Sequence, residues 1–179
     1  MKLKTRELTV VSLMMALSII IPQLSPPLAI PPFTATFASH VPVIITTFIS
    51  PWAALLTAVG SGIGFAIKLG DPFVTARALS HIFFAVIAAI MLRKKFNPVL
   101  VLLIAMVIHG VGEAFVAVPL IHLIFPALPV KASTYIVLFG TFIHHVIDSV
   151  ISVIILIPLS KAGFIDYKFS KDNLRRLRG

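Results

Sequence analysis

Three pairs of polar side chains stand four residues apart within apolar stretches of the chain. The pairs are Arg77 with His81, His109 with Glu113, and His144 with Asp148. Residues at this spacing share one face of a helix, about one turn apart. Ionisable groups in such apolar surroundings are costly, and they usually face an interior cavity rather than lipid. We therefore expect the three pairs to converge on one polar interior.

Three interpretations of this interior are open from the residues alone. In the first, Arg77 pairs with Glu113, a histidine bonds Asp148, and the network only holds the helices together. In the second, His and carboxylate groups bind a divalent cation, as their donor atoms allow. The sequence contains no His-Glu-x-x-His motif, and we predict neither a metal nor a cofactor. In the third, which we favour, Arg77 neutralises a carboxylate on a small-molecule substrate.

The third interpretation gives a set of predicted substrate-binding residues. They share apolar surroundings and side chains that can bond polar groups of a ligand: Arg77, His81, Glu113, His144 and His40. His40 belongs to the set because it follows a proline-rich segment, residues 23–36, that can fold over a pocket as a lid or serve as an ordinary connector. Four of the chain's 13 prolines lie in this segment, so we expect it to be irregular. The roles of His109, His145 and Asp148 stay open.

Composition identifies the elements that must position these residues. Of the 179 residues, 59% are hydrophobic and 12% are charged, and the mean hydropathy is +1.08. A membrane-spanning helix needs roughly 20 apolar residues, so a bundle of such helices accounts for nearly the whole chain. We predict an all-α integral membrane protein, a six-transmembrane-helix bundle forming one membrane domain over residues 1–179. The predicted spans are 8–22, 38–50, 52–69, 73–92, 99–125 and 134–160.

The net charge of +9 follows the membrane topology rather than a nucleic-acid partner. Twelve of the 15 basic residues lie in three segments, 2–6, 93–95 and 161–178. Basic residues concentrate on the cytoplasmic side of membrane proteins. We therefore predict that both termini and residues 93–95 are cytoplasmic and that the protein is a multi-pass protein of a prokaryotic plasma membrane. Segments 23–36 and 126–133 are expected outside.

Glycines at 60, 62 and 64 do not form a nucleotide site. The segment lacks the Gly-Lys-Ser/Thr ending of a phosphate-binding loop. Small residues at this spacing instead favour close helix packing. Because the chain has no ATPase motif, we expect a transport subunit rather than an enzyme, with energy from an ion gradient or from another subunit.

The chain resembles the substrate-binding S components of energy-coupling factor (ECF) vitamin transporters. The resemblance rests on its size, its basic start, its succession of apolar spans, and the segments Ser39-His40-Val41-Pro42, Arg77-Ala78-Leu79-Ser80-His81 and His144-His145-x-x-Asp148. It implies a six-helix fold that binds a vitamin in its outer half, beneath the loop that joins the first two helices. It also implies a membrane scaffold (T) subunit and two cytoplasmic ATPase subunits as partners. The family contacts the scaffold through an Ala-x-x-x-Ala motif on the first helix, and the matching positions here are Ser12 and Ala16.

Which vitamin is bound depends on the charges in the pocket. A free Arg77 favours an anionic vitamin such as pantothenate or niacin, whereas an unpaired Glu113 or Asp148 favours a cationic or amine-bearing one. Pyridoxine or a pyrimidine precursor is therefore also compatible. Two other classes of function stay open: an intramembrane metal-dependent hydrolase using Glu113 and the histidines, and a proton-coupled carrier using Glu113 or Asp148.

Overall fold

The computed structural model describes residues 5–25, 27–31 and 33–167 and is dominated by helices. In chain order the elements are α1 (Thr5–Leu24), β1 (Pro27–Ile30), β2 (Phe33–Thr36), α2 (Val41–Thr47), α3 (Pro51–Leu69), α4 (Pro72–Arg93), α5 (Pro98–Ile124) and α6 (Val130–Lys161). Five of these helices, α1 and α3 to α6, are long and apolar enough to cross a membrane. The protein is a multi-pass membrane protein built from helices.

The second predicted span, residues 38–50, differs from the prediction. In this region the structure contains only α2, a helix of seven residues. At 1.5 Å per residue such a helix covers about 10 Å, far less than the roughly 30 Å of a hydrocarbon core. The count of six helical spans therefore stays a prediction.

The proline-rich segment also differs from the expected irregular loop, because it contains an antiparallel hairpin. Strand β1 pairs with β2 in a register that places Pro27 opposite Thr36 and Ile30 opposite Phe33. A proline is tolerated at the first residue of a strand, where it does not interrupt the ladder. Proline content alone therefore did not exclude a strand here.

Helices α1 and α3 run in the same direction, which defines the path of the chain between them. The Ser18 hydroxyl donates to the carbonyl of Thr57 at 3.2 Å, and the Gln23 amide donates to the carbonyl of Gly64 at 2.7 Å. Both helices thus advance together along the bundle. The hairpin, the following turn and α2 must return the chain from the end of α1 to the start of α3, so we call residues 27–50 the composite return segment.

Glycines allow α1 and α3 to approach each other closely, as the small-residue spacing predicted. A Cβ atom on Gly64 would lie 2.6 Å from the Cα atom of Ile19, and one on Gly60 would lie 2.5 Å from Cγ of Met15. A contact with backbone, as at Ile19, cannot be relieved by a side-chain rotation. The packing role predicted for this glycine segment is confirmed.

Three of the long helices begin with the same local signal. A polar residue caps the first turn, and a proline follows it at the first helical position, where its missing N–H is not needed. The capping residues are Ser50, Asp71 and Asn97, whose side chains accept from backbone N–H groups two or three residues ahead. These caps fix where α3, α4 and α5 start.

The first and last helices meet at one end of the bundle. The Arg6 guanidinium donates to the carbonyl oxygen of Ala162 at 3.0 Å and lies 4.8 Å from the centre of the Phe164 ring. The start of α1 and the end of α6 therefore lie on the same side, as the charge pattern predicts. The assignment of that side to the cytoplasm stays a prediction.

Cysteine labelling will test this orientation, since the native chain contains no cysteine. Lys94 and Lys131 are both exposed, so Lys94→Cys and Lys131→Cys place one thiol at each predicted face. In intact cells an impermeant thiol reagent should label position 131, and position 94 only after permeabilisation. The reverse pattern would contradict the topology and the location of the site described below.

Candidate functional site

A cavity of about 270 Å³ lies between the hairpin and the helices α3 to α6. All five predicted substrate-binding residues line it: Arg77, His81, Glu113, His144 and His40. The hairpin closes one side of the cavity through Thr34, Ala35 and Thr36. It is held close to α6 because Gly140 leaves room for the Phe33 ring, whose Cδ1 atom would lie 2.7 Å from a Cβ atom at that position.

Arg77 and Glu113 form a buried ion pair across the cavity. Nη2 of Arg77 donates to Oε2 of Glu113 at 2.7 Å, and only about 6% of each side chain is exposed. The same oxygen accepts from the Thr141 hydroxyl at 2.8 Å. Arg77 also binds the hairpin, since Nη1 and Nη2 donate to the hydroxyl and the carbonyl of Thr34, each at 3.1 Å. The guanidinium therefore ties β2, α4 and α5 together.

One donor of Arg77 takes no part in these hydrogen bonds. Its Nε atom is buried and has no hydrogen-bond partner within the part of the chain that the structure describes. A buried donor without a partner is costly, so such a group usually has an explanation in a missing water, ion or ligand. Arg77 lines the cavity, so an acceptor on a ligand is one candidate partner of Nε.

Asp148, whose role the sequence left open, fastens the turn between β2 and α2. It is fully buried, and its carboxylate accepts from the backbone N–H groups of Ala38 at 3.1 Å and His40 at 3.0 Å. Nδ1 of His40 lies 3.0 Å from Oδ2, and Nε2 of His144 lies 2.9 Å from the same atom. Ala38 adopts a left-handed conformation with φ +62°, a strained geometry for a non-glycine residue. The bonds to Asp148 hold that turn in place.

Histidines connect the two buried carboxylates. His40 and His81 approach through their Nε2 atoms at 3.2 Å, and Nε2 of His81 lies 3.4 Å from Oε1 of Glu113. Nε2 of His109 lies 3.5 Å from the same oxygen, and its Nδ1 lies 3.0 Å from Nδ1 of His145. The three helical pairs identified from the sequence are thus brought into one network.

Two threonines of the network were not predicted. Thr34 and Thr141 each bond one member of the Arg77–Glu113 pair. Threonine is common in both strands and helices, so its type and spacing carried no signal. Their roles are visible only in the structure, where the hairpin brings Thr34 to Arg77 of α4 and α6 brings Thr141 to Glu113 of α5.

Ser12 and Ala16, the predicted assembly residues, do not line the cavity. Both are exposed on α1, on a face that also exposes Leu13 and Ile20. A surface of small and apolar residues can contact either lipid or another transmembrane helix. The structure therefore separates these positions from the predicted binding residues.

Comparisons with known proteins give one informative match. The chain is 37% identical over 94 residues to the niacin transporter NiaX of Lactococcus lactis subsp. cremoris (strain MG1363). The matched region is 52% of this chain and spans 42% of the length of that relative. No protein-family model matches the sequence, and no solved structure matches it. The chain is thus similar, over about half its length, to a vitamin transporter.

Proposed function

We propose that this protein is the substrate-binding S component of an ECF-type importer and that its substrate is niacin. The observation that carries the proposal is the cavity beneath the hairpin, which is lined by Arg77, a residue whose buried Nε–H has no partner among the described residues. A guanidinium in a desolvated site is well suited to recognise a carboxylate. The similarity to a protein named as a niacin transporter supports the choice of vitamin.

The size and lining of the cavity favour niacin over the other vitamins considered. Ligand pockets commonly measure roughly 300–1,000 Å³, so a cavity of about 270 Å³ suits a small ligand. Niacin is a single pyridine ring with one carboxylate, whereas pantothenate is longer and pyridoxine has no carboxylate. Histidines and hydroxyl groups of the cavity offer partners for the ring nitrogen.

The ion pair between Arg77 and Glu113 is compatible with an anionic substrate. Glu113 receives hydrogen bonds from Arg77 and Thr141, so its charge is compensated within the protein. A positively charged vitamin is therefore not needed to balance it. The alternatives that relied on an unpaired Glu113 are therefore less well supported.

Calorimetric titration of the purified protein in detergent tests this proposal. Nicotinate should bind with one site per chain, and nicotinamide, its neutral amide, should bind more weakly. Hydrogen bonds to charged groups contribute about 1.5–3 kcal/mol, which corresponds to a difference in Kd of roughly ten- to a hundred-fold or more. Equal affinity for the two compounds would show that Arg77 does not bind the carboxylate. Absence of binding by either compound would contradict niacin as the substrate.

The proposed partners are a membrane scaffold (T) subunit and two cytoplasmic ATPase subunits. They follow from the resemblance to S components, and the exposed face of α1 with Ser12 and Ala16 is the proposed contact with the scaffold. A protein of this kind binds its vitamin alone but transports it only with the other subunits. A self-sufficient proton-coupled carrier would transport the vitamin without them, and a hydrolase would convert a substrate.

Replacing Ala16 with tryptophan separates assembly from binding. Because close helix contacts tolerate only small side chains, Ala16→Trp should abolish transport by the full complex. Nicotinate affinity of the isolated subunit should stay within about twofold, since α1 exposes this position away from the cavity. Val111→Trp, at an exposed site on α5, is the matched control and should transport normally. Loss of both binding and transport in a folded Ala16→Trp protein would contradict the prediction that this residue serves assembly rather than binding.

A further inference from the structure

Four side chains of the cavity bring potential metal ligands together in a way that substrate binding does not require. His40, His81, His109 and Glu113 are all buried, and one ligand atom from each lies within 4.8 Å of the others. The separations are 3.2 Å from His40 Nε2 to His81 Nε2, and 3.4 Å and 3.5 Å from Glu113 Oε1 to Nε2 of His81 and His109.

These three separations, of the six between four ligand atoms, match the edges of a tetrahedral coordination shell, and all six lie within 4.8 Å. Zinc binds His nitrogen and carboxylate oxygen at about 2.0–2.2 Å, and two ligands of a tetrahedron at that radius lie about 3.3–3.5 Å apart. Ordinary hydrogen bonds from nitrogen to oxygen are shorter, at about 2.7–3.2 Å. The contacts of Glu113 Oε1 with the two histidines are therefore longer than good hydrogen bonds, and they fit two ligands of a shared cation.

His109 supplies an independent observation. Its Nε2 atom is buried and has no hydrogen-bond partner among the described residues, although it faces the cluster. The residue itself is 1% exposed. In the tautomer that carries its proton on Nδ1, the lone pair on Nε2 faces the Glu113 carboxylate, so two acceptors oppose each other. A cation between them would be bound by both.

Outer hydrogen bonds orient two of the histidines for such a role. Metal-bound histidines usually donate their second ring N–H to a carboxylate or another acceptor, which fixes the tautomer that binds the metal. His40 can donate Nδ1–H to Asp148 at 3.0 Å, and His109 can donate Nδ1–H to Nδ1 of His145 at 3.0 Å. In both residues this arrangement leaves the Nε2 lone pair directed into the cluster.

We propose that His40, His81, His109 and Glu113 bind one divalent cation of the zinc class. Three imidazoles and one carboxylate suit zinc, cobalt(II) or nickel(II) and disfavour magnesium or calcium, which prefer oxygen ligands. The network contains one guanidinium, on Arg77, and two carboxylates, so with neutral histidines it carries one net negative charge. A dication leaves one positive charge, which an anionic ligand in the same cavity can neutralise. The site does not depend on niacin as the substrate.

Zinc titration of the chelator-treated protein, without any vitamin, tests this inference. Calorimetry should show one zinc ion bound per chain. His40→Ala and His109→Ala should each weaken zinc binding at least 100-fold, whereas His122→Ala, at a histidine outside the cluster, should leave it unchanged. Asp148→Asn should weaken it about 10- to 100-fold through His40. Binding that survives in the double variant His40→Ala/His109→Ala would overturn the site.

A spectroscopic measurement on the unaltered protein removes any dependence on variants that fail to fold. Cobalt(II) should give the intense visible absorption bands of four- or five-coordinate cobalt, and zinc should displace it. Weak octahedral bands, or less than one equivalent of zinc bound by the unaltered protein, would refute the inference. Because the vitamin is left out, a failure of nicotinate binding and a failure of metal binding are distinguishable.

Discussion

Arg77→Ala is expected to weaken nicotinate binding by roughly ten- to a hundred-fold or more and to destabilise the protein by about 3–5 kcal/mol. The first effect follows from the loss of the guanidinium beside the cavity. The second follows because Glu113 remains buried without its cation, and breaking a buried pair on one side leaves an uncompensated charge. Thermal unfolding in detergent, with and without nicotinate, and calorimetric titration measure the two effects separately.

The double variant Arg77→Ala/Glu113→Ala decides between ligand contact and scaffold. Removing both charges should restore much of the stability, because no unpaired charge remains buried. Binding should stay weak, since the carboxylate partner is still missing. Lys131→Ala, at an exposed position on α6, serves as the control for removal of a positive charge. Normal nicotinate binding by a stable double variant would show that the pair is only structural and that the substrate lies elsewhere.

Asp148→Ala is expected to destabilise the protein by about 3 kcal/mol or more. The substitution leaves the backbone N–H groups of Ala38 and His40 without their acceptor and removes the partner of two histidine rings. Each buried donor left unsatisfied costs about 1–3 kcal/mol. Loss of these bonds also frees the turn that positions the hairpin, so nicotinate affinity should fall in parallel.

Asp71→Ala provides the matched control for Asp148→Ala. Asp71 also accepts a backbone N–H, that of Phe73 at the start of α4, but it is only partly buried. Loss of a helix cap costs about 0.5–2 kcal/mol. A destabilisation of Asp148→Ala no larger than that of Asp71→Ala, measured by thermal unfolding, would contradict the role assigned to the buried carboxylate.

The convergence of the polar pairs could be predicted because it depends on periodicity. Residues four apart must share a helix face, and charged faces within a membrane must turn inward. The four-residue spacing between a histidine and each of Arg77, Glu113 and Asp148 therefore predicted the interior network. Two of the pairings, Arg77 with Glu113 and a histidine with Asp148, were among the possibilities open from the sequence, and the structure contains both. The remaining partners could not be predicted, since these depend on how far each helix is rotated and shifted against its neighbours.

The composite return segment shows a limit of predicting membrane spans from hydropathy. Residues 38–50 are as apolar as a membrane helix, so composition predicted a span. The helix is short because Asp148 fixes the turn at Ala38 and His40, and because the Ser50-Pro51 step ends one helix and caps the next. The first of these causes is a contact 110 residues away in sequence. The sequence pattern of residues 38–50 cannot reveal this contact.

The brevity of α2 also has a consequence for how the protein is made. All seven residues of α2 are buried, and the helix packs against α1, α3, α4 and α6. A segment of this length is too short to be recognised as a membrane helix when it leaves the ribosome. It can reach its place only when the surrounding helices provide partners for its backbone ends, and of these helices α6 is synthesised last. We therefore expect α2 to reach its position late in biogenesis and the cavity beside it to form only after α6 has been synthesised.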